Sequence, residues 1–263
     1  MAERKAKVMS VLNFKGGVGK TTTTLNLGAA LARKEQRVLL IDLDVQMNTS
    51  FVLNYSVKDG ESIYELMNGS AQSYPIYDTN QEGLQFIPSS MKLDVLAVEL
   101  TNRISRETIL RRQLEPLLEH YDYIIIDCPP GKSVLTDNAL CASDSVLVPI
   151  TCEEMNKQGV STIISKFEEI KQLVNPNICI EGFLLTKYNK QYRISRDMRT
   201  TLEELDIKVF DTTIRTSMSL NVYCSGYQSV FEYDEARCAE DRRYKTSNGS
   251  LDYAALADEI LTR

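Results

Sequence analysis

Val8-Met9-Ser10-Val11-Leu12-Asn13-Phe14-Lys15-Gly16-Gly17-Val18-Gly19-Lys20-Thr21-Thr22 is the stretch on which the reading of this chain turns. Residues 8–12 form an apolar run of the kind that makes a buried strand. Thr21 to Arg33 is rich in Ala and Leu and reads as a helix. Between them lies a glycine-rich turn, where a Cβ would obstruct close approach of the backbone to a ligand. The backbone N–H groups of Gly16 to Thr21 can converge on an anion at the start of the helix. The same pattern places Lys20 to reach β- and γ-phosphates and the Thr21 hydroxyl to ligate Mg²⁺.

The rest of the composition narrows the function classes. At 263 residues the chain fits one α/β domain. Its net charge is −6, so any nucleic-acid contact must come from a local basic patch. Six cysteines, at 128, 141, 152, 179, 224 and 238, form no C-x-x-C pair and read as reduced thiols of a cytoplasmic protein. Cys128 reads as a small buried residue after a strand. No apolar run approaches a membrane span, and Met1 to Lys7 is a short charged lead rather than a targeting segment.

Outward from the loop, further apolar runs appear at 37–41, 121–127, 145–150 and 178–186, with a short strand from Leu84. Helical spacing is read at 61–67, 91–102, 104–119, 135–142, 157–174 and 251–261. Residues 69–83 read as a loop, and Thr151 to Glu154 as a polar strand end. Five main strands separated by helices predict an α/β fold, a doubly wound, mainly parallel sheet in a single domain over 1–263. Two strands end in carboxylates, Asp42 with Asp44 and then Asp127, where ligands bind in open parallel sheets. Asp127, far downstream of the glycine loop, reads as a magnesium-holding acid.

The form Lys15-Gly-Gly-Val-Gly-Lys-Thr21 is the deviant Walker A motif, with Phe14 where the usual motif has Gly. In it the chain resembles the ParA/MinD superfamily of P-loop ATPases, and Ile87-Pro88-Ser89-Ser90 is similar to the ParA/Soj branch. The resemblance implies a homodimer with ATP and Mg²⁺ between subunits, Lys15 reaching the partner's nucleotide and Lys20 its own. It implies nucleotide contacts from Lys15, Gly16, Gly17, Val18, Gly19, Lys20, Thr21 and Thr22, with Thr186 and Lys187 near the adenine. It also implies that Asp44 orients the attacking water, that Asp42 lies near the metal with Thr21 and Asp127, and that Pro129-Pro130-Gly131 is a switch segment. Val45 and Met47 stand where many relatives have Pro and Gly.

For function, the resemblance implies non-specific DNA binding in the ATP state and release when a ParB-like partner stimulates hydrolysis. The cargo would be a plasmid, chromosome or mobile element, on the nucleoid. Two other uses of the same domain are positioning a protein cluster and a regulatory scaffold with negligible turnover. The first strand begins too early for an N-terminal helix-turn-helix domain, and the last helix is acidic, against membrane binding. The expected DNA face holds Lys190, Arg193, Arg196 and Arg199, which step by three as along one helix, with Lys187 beside them. Arg215 is the added candidate, because Ser219 stands where the family carries an arginine.

Overall fold

The structure is a computed structural model that describes residues 6–56, 61–151 and 157–263. The charged lead at 1–5 and most of the polar strand end, 152–154, lie outside the described residues. β1 (Lys7–Val11), β2 (Val38–Asp42), β5 (Tyr123–Asp127), β6 (Ser145–Thr151) and β7 (Cys179–Thr186) are the five expected strands. β3 (Tyr77–Asp78) and β4 (Leu84–Ile87) complete a seven-stranded sheet in the order β3-β4-β2-β5-β1-β6-β7. All pairings are parallel except the β3 edge, which runs antiparallel to β4.

The strands read as unbroken apolar runs because both faces are covered. Side chains alternate between two cores. Val8, Leu39, Ile41, Ile124 and Ile126 face one; Met9, Val11, Val38, Leu40 and Ile125 face the other. The first core is closed by α3 (Ile63–Asn68), α4 (Leu93–Leu100), α5 (Ile109–Leu114), α6 (Val134–Ala142), α7 (Lys157–Leu173) and α8 (Arg193–Glu204). The second is closed by α1 (Lys20–Ala32), α10 (Val230–Glu240) and α11 (Asn248–Leu261). α1 lies so close to the sheet that a Cβ on Gly28 would come within 2.7 Å of a Leu40 methyl. Local sequence sets the helix starts. Ser62 and Glu65 form a capping box on α3, and Ser133, Ser229 and Ser247 cap α6, α10 and α11 with their side chains.

Three expectations need correction. The predicted helix over 104–119 is broken: α5 is flanked by 3₁₀ turns at Arg106–Thr108 and Glu115–Leu117. Ser105 takes φ 53° before it, and Pro116 supplies no N–H to continue it. Ile104, placed by spacing on the apolar face, is 93% exposed. The expected loop at 69–83 contains β3, too short to show a period. Lys190 precedes α8 rather than riding it, so the step of three does not hold along one helix.

Candidate nucleotide-binding site

The site forms where β1 ends. From β1 the chain crosses to β2 on one side, and β5 returns past it to β6, so a crevice opens at the carboxyl ends of the central strands. Gly19 begins α1 with φ 93° and no side-chain cap, leaving the first N–H groups of a thirteen-residue helix for an anion. Gly17 also needs positive φ, at 75°. Asn13 fixes the loop from behind. Its amide donates to Pro149 O at 2.8 Å and accepts the Lys15 N–H at 3.0 Å. Lys20 Nζ donates to Lys15 O at 2.9 Å. Lys15 is thus held by its backbone, and the residue is exposed. Burial lowers the Lys20 pKa, opposed by Asp127, Cys128 and Asp44.

A cleft of about 440 Å³ is lined by Gly16, Gly17, Gly19, Lys20, Thr21, Thr22, Asp44, Gln46, Asn48, Pro130 and Lys187. Beside it lies a second hollow of about 280 Å³, reaching from Gly19, Thr22, Thr186 and Lys187 to the segment 214–221 and Tyr253. The loop glycines and Lys20 to Thr22 come together with Asp44 and Lys187, and Val18 is buried beneath them. Thr186 ties the two hollows: its hydroxyl donates to Val18 O at 2.8 Å and its methyl lies 3.7 Å from the place of a Gly19 Cβ.

The carboxylates divide differently from expectation. Asp42 and Asp127 are register partners on β2 and β5, and both are fully buried. Burial raises both pKa values, with their neighbouring negative charges adding to the effect. Asp42 accepts from Asp44 N on one oxygen and from Ser50 N and Oγ on the other. Both of its oxygens are therefore engaged within the chain, whereas the sequence had set it beside the metal. Asp127 accepts from Thr49 through Oδ2 at 2.8 Å, while Oδ1 is buried with no hydrogen-bond partner. The Thr21 hydroxyl acts on the same carboxylate. A buried acid with an unmet oxygen beside a hydroxyl fits a magnesium ion, which takes few protein ligands and completes its shell from phosphates and water. Among the described residues no cluster of three or more His, Cys, Asp or Glu could hold a metal alone.

Sequence reasoning gave no role to Thr49, Ser50 or Asn13, and read Arg215 and Ser219 in the 214–221 segment for DNA rather than for this hollow. A signal existed for two of them: buried carboxylates need donors, and Thr49-Ser50 follows Asp42 closely.

The AAA domain family matches residues 6–180. The sporulation initiation inhibitor protein Soj of Bacillus subtilis is 36% identical over 260 residues, covering 97% of this chain and 98% of that one. The chain belongs to the ParA/Soj family of P-loop ATPases. The chromosome partitioning protein ParA of Caulobacter vibrioides is 35% identical over 274 residues, covering 100% of this chain and 97% of its own. Among solved structures, a cobyrinic acid a,c-diamide synthase from Mycobacterium smegmatis, with bound ATP analogue and magnesium, superposes with TM-score 0.83 at 30% identity. That match covers 97% of this chain and 94% of the other.

Several residues of the expected basic face have partners within the chain. Arg215 donates to Asp252 from its backbone N at 2.8 Å and from Nη2 at 2.6 Å, so its partly exposed charge is paired within the chain. Ser219 is buried and bonded to Ser217 and Ser247. Arg199 is anchored on the carbonyls of Phe210 and Asp211. Lys190 and Arg193 are exposed, Arg193 in an i,i+4 pair with Asp197. Arg196 lies on α8, with its side chain outside the described residues. Among the described residues no helix is long and apolar enough to cross a membrane.

Proposed function

We propose that this chain is an ATP-driven dimerisation switch of the partitioning type. The observation that carries the reading is the exposed Lys15 on a loop whose backbone is pinned by Asn13 and Lys20. An exposed lysine on a loop so held supports the reading that it contacts the nucleotide of a partner subunit. Lys20 and the N–H groups of 16–22 hold the phosphates of the chain's own ATP, and Thr186, Lys187 and the 214–221 segment receive the base. Thr21 and Asp127 hold Mg²⁺, which neutralises phosphate charge, and Asp44 orients water. Hydrolysis is then positioning chemistry with no covalent intermediate.

In this reading the ATP dimer binds DNA without sequence preference, on the nucleoid of the cytoplasm, and a ParB-like protein triggers release. Lys190 and Arg193 are exposed and are the cations put forward to meet phosphate, Arg193 by exchanging its i,i+4 partner Asp197 for it. The test is binding to an unrelated duplex with ADP and with ATP across a salt series. ATP-dependent binding that weakens with salt is expected, and neutralising Lys190 and Arg193 should lower the slope by about one for each charge. Absence of binding in both nucleotide states would refute the DNA reading. The internal pairing of Arg215 and burial of Ser219 would then favour the second one, an ATPase that positions a protein cluster.

A further inference from the structure

Thr49 and Ser50 are consecutive on α2 (Asn48–Val52), and each donates to one of two neighbouring carboxylates. Ser50 Oγ meets Asp42 Oδ2 at 2.6 Å, and Thr49 Oγ1 meets Asp127 Oδ2 at 2.8 Å. Since Asp42 and Asp127 end adjacent strands in register, the short helix is clipped across both strand ends. The clip is itself braced. Ser89 N donates to Ser50 Oγ at 2.8 Å, and Ser89 Oγ donates to Asp44 O at 2.6 Å. Met47 enters α2 at φ 55°, a left-handed turn that swings the helix back over the strands.

An aspartate carboxylate rotates about a single soft torsion, so fixing one oxygen fixes the direction of the other. We infer that Thr49 is a positioning residue for the magnesium site: its hydroxyl holds Oδ2 of Asp127 and so aims Oδ1 at the metal. The chain from Asp44 through Gln46 and Asn48 lines the cleft and leads directly into Thr49. The segment that carries Asp44 is therefore tied to Asp127 by one hydroxyl. This inference rests on the ATP–magnesium reading above.

The test uses the full chain and a fluorescent ATP analogue, with binding followed in EDTA and through a Mg²⁺ titration. Wild type and Thr49→Ser should share one half-saturating Mg²⁺ concentration. Thr49→Ala should need about tenfold more, as losing an orienting partner of a metal ligand usually does. All three should bind nucleotide equally in EDTA. Serine and alanine differ here only by the hydroxyl, so packing lost with the methyl cancels between them. A Thr49→Ala titration that overlays wild type overturns the inference, as does a Thr49→Ser shift as large as that of alanine. If wild-type affinity ignores Mg²⁺ altogether, the ATP–magnesium reading fails first and the inference with it.

Discussion

Asp252→Ala should loosen the wall of the base hollow by a predictable amount. Asp252 sits on α11 and accepts three times from one residue: Arg215 N at 2.8 Å, Nε at 3.0 Å and Nη2 at 2.6 Å. The guanidinium side of the pair is 42% exposed and can rehydrate, so its loss is worth about 0–1 kcal/mol. The backbone N–H is part-buried, and leaving it unmet costs about 1–3 kcal/mol. Together these give roughly 2 kcal/mol, or a fall in Tm of about 4–8 °C for a chain of this size. Arg215 also lines the hollow beside Thr186, so the rise in Tm produced by saturating Mg–ATP should shrink in the variant. Thermal melts with and without nucleotide measure both effects. Asp252→Asn keeps one acceptor for the backbone N–H and should fall between. A Tm within 1 °C (roughly 0.3 kcal/mol) of wild type would refute the reasoning, because the Asp252 contacts would then contribute nothing beyond those of Glu259, which accepts from Asp211 N and Thr212 N.

Other outcomes follow from the same geometry. Lys20→Ala should abolish ATP binding by equilibrium titration, whereas Lys15→Ala should bind ATP yet remain monomeric by light scattering; a dimeric Lys15→Ala would contradict the contact in trans. Asp44→Ala should retain ATP and accumulate as a dimer with phosphate release lost, and normal turnover would remove the role assigned to that side chain. Asp42 and Asp127 have raised pKa values in the fold, chiefly through burial, so the native state keeps protons that the unfolded chain releases. Their stabilising contribution is complete below the ordinary carboxylate value of about 4 and is lost as pH rises through the folded values. The lowered carboxylates Glu65, Glu181 and Glu259 act with opposite sign, in a window below the ordinary value. Without nucleotide the Tm should therefore fall between about pH 5 and pH 8, and Asp42→Asn should flatten that slope; a Tm that rises over the range would show the burial argument to be wrong.

The sheet was legible because its central strands are buried on both faces and so stand out as runs such as Val38-Leu-Leu-Ile41 and Tyr123-Ile-Ile-Ile126. The phosphate loop was legible because glycine, lysine and threonine at that spacing have one strong physical use. The carboxylates were found as a group but not sorted: spacing could not show that Ser50 occupies Asp42 while Asp127 keeps an oxygen unmet. The internal partners of the basic face were hidden for a related reason. Arg215 meets Asp252 and Arg199 meets Phe210 O only after folding, and a charge in sequence carries no sign of its eventual partner. The 104–119 helix failed on backbone grounds, at Ser105 and Pro116, although its apolar spacing was sound for Ile109, Leu110, Leu114 and Leu117.

The strand order also governs how the chain is made. β5 lies between β1 and β2, and β1 pairs only with β5 and β6, so Lys7 finds its register against Tyr123, whereas β2 can pair with β4 before β5 is made. On a ribosome adding roughly 5–20 residues per second, β1 waits on the order of ten seconds for its neighbour to be synthesised. During that interval an apolar strand and the loop that follows it have no sheet to join, and the nascent chain depends on keeping them from sticking elsewhere. The phosphate cradle can be assembled only after Asp127 has left the ribosome, so nucleotide cannot help the first half of the molecule to fold.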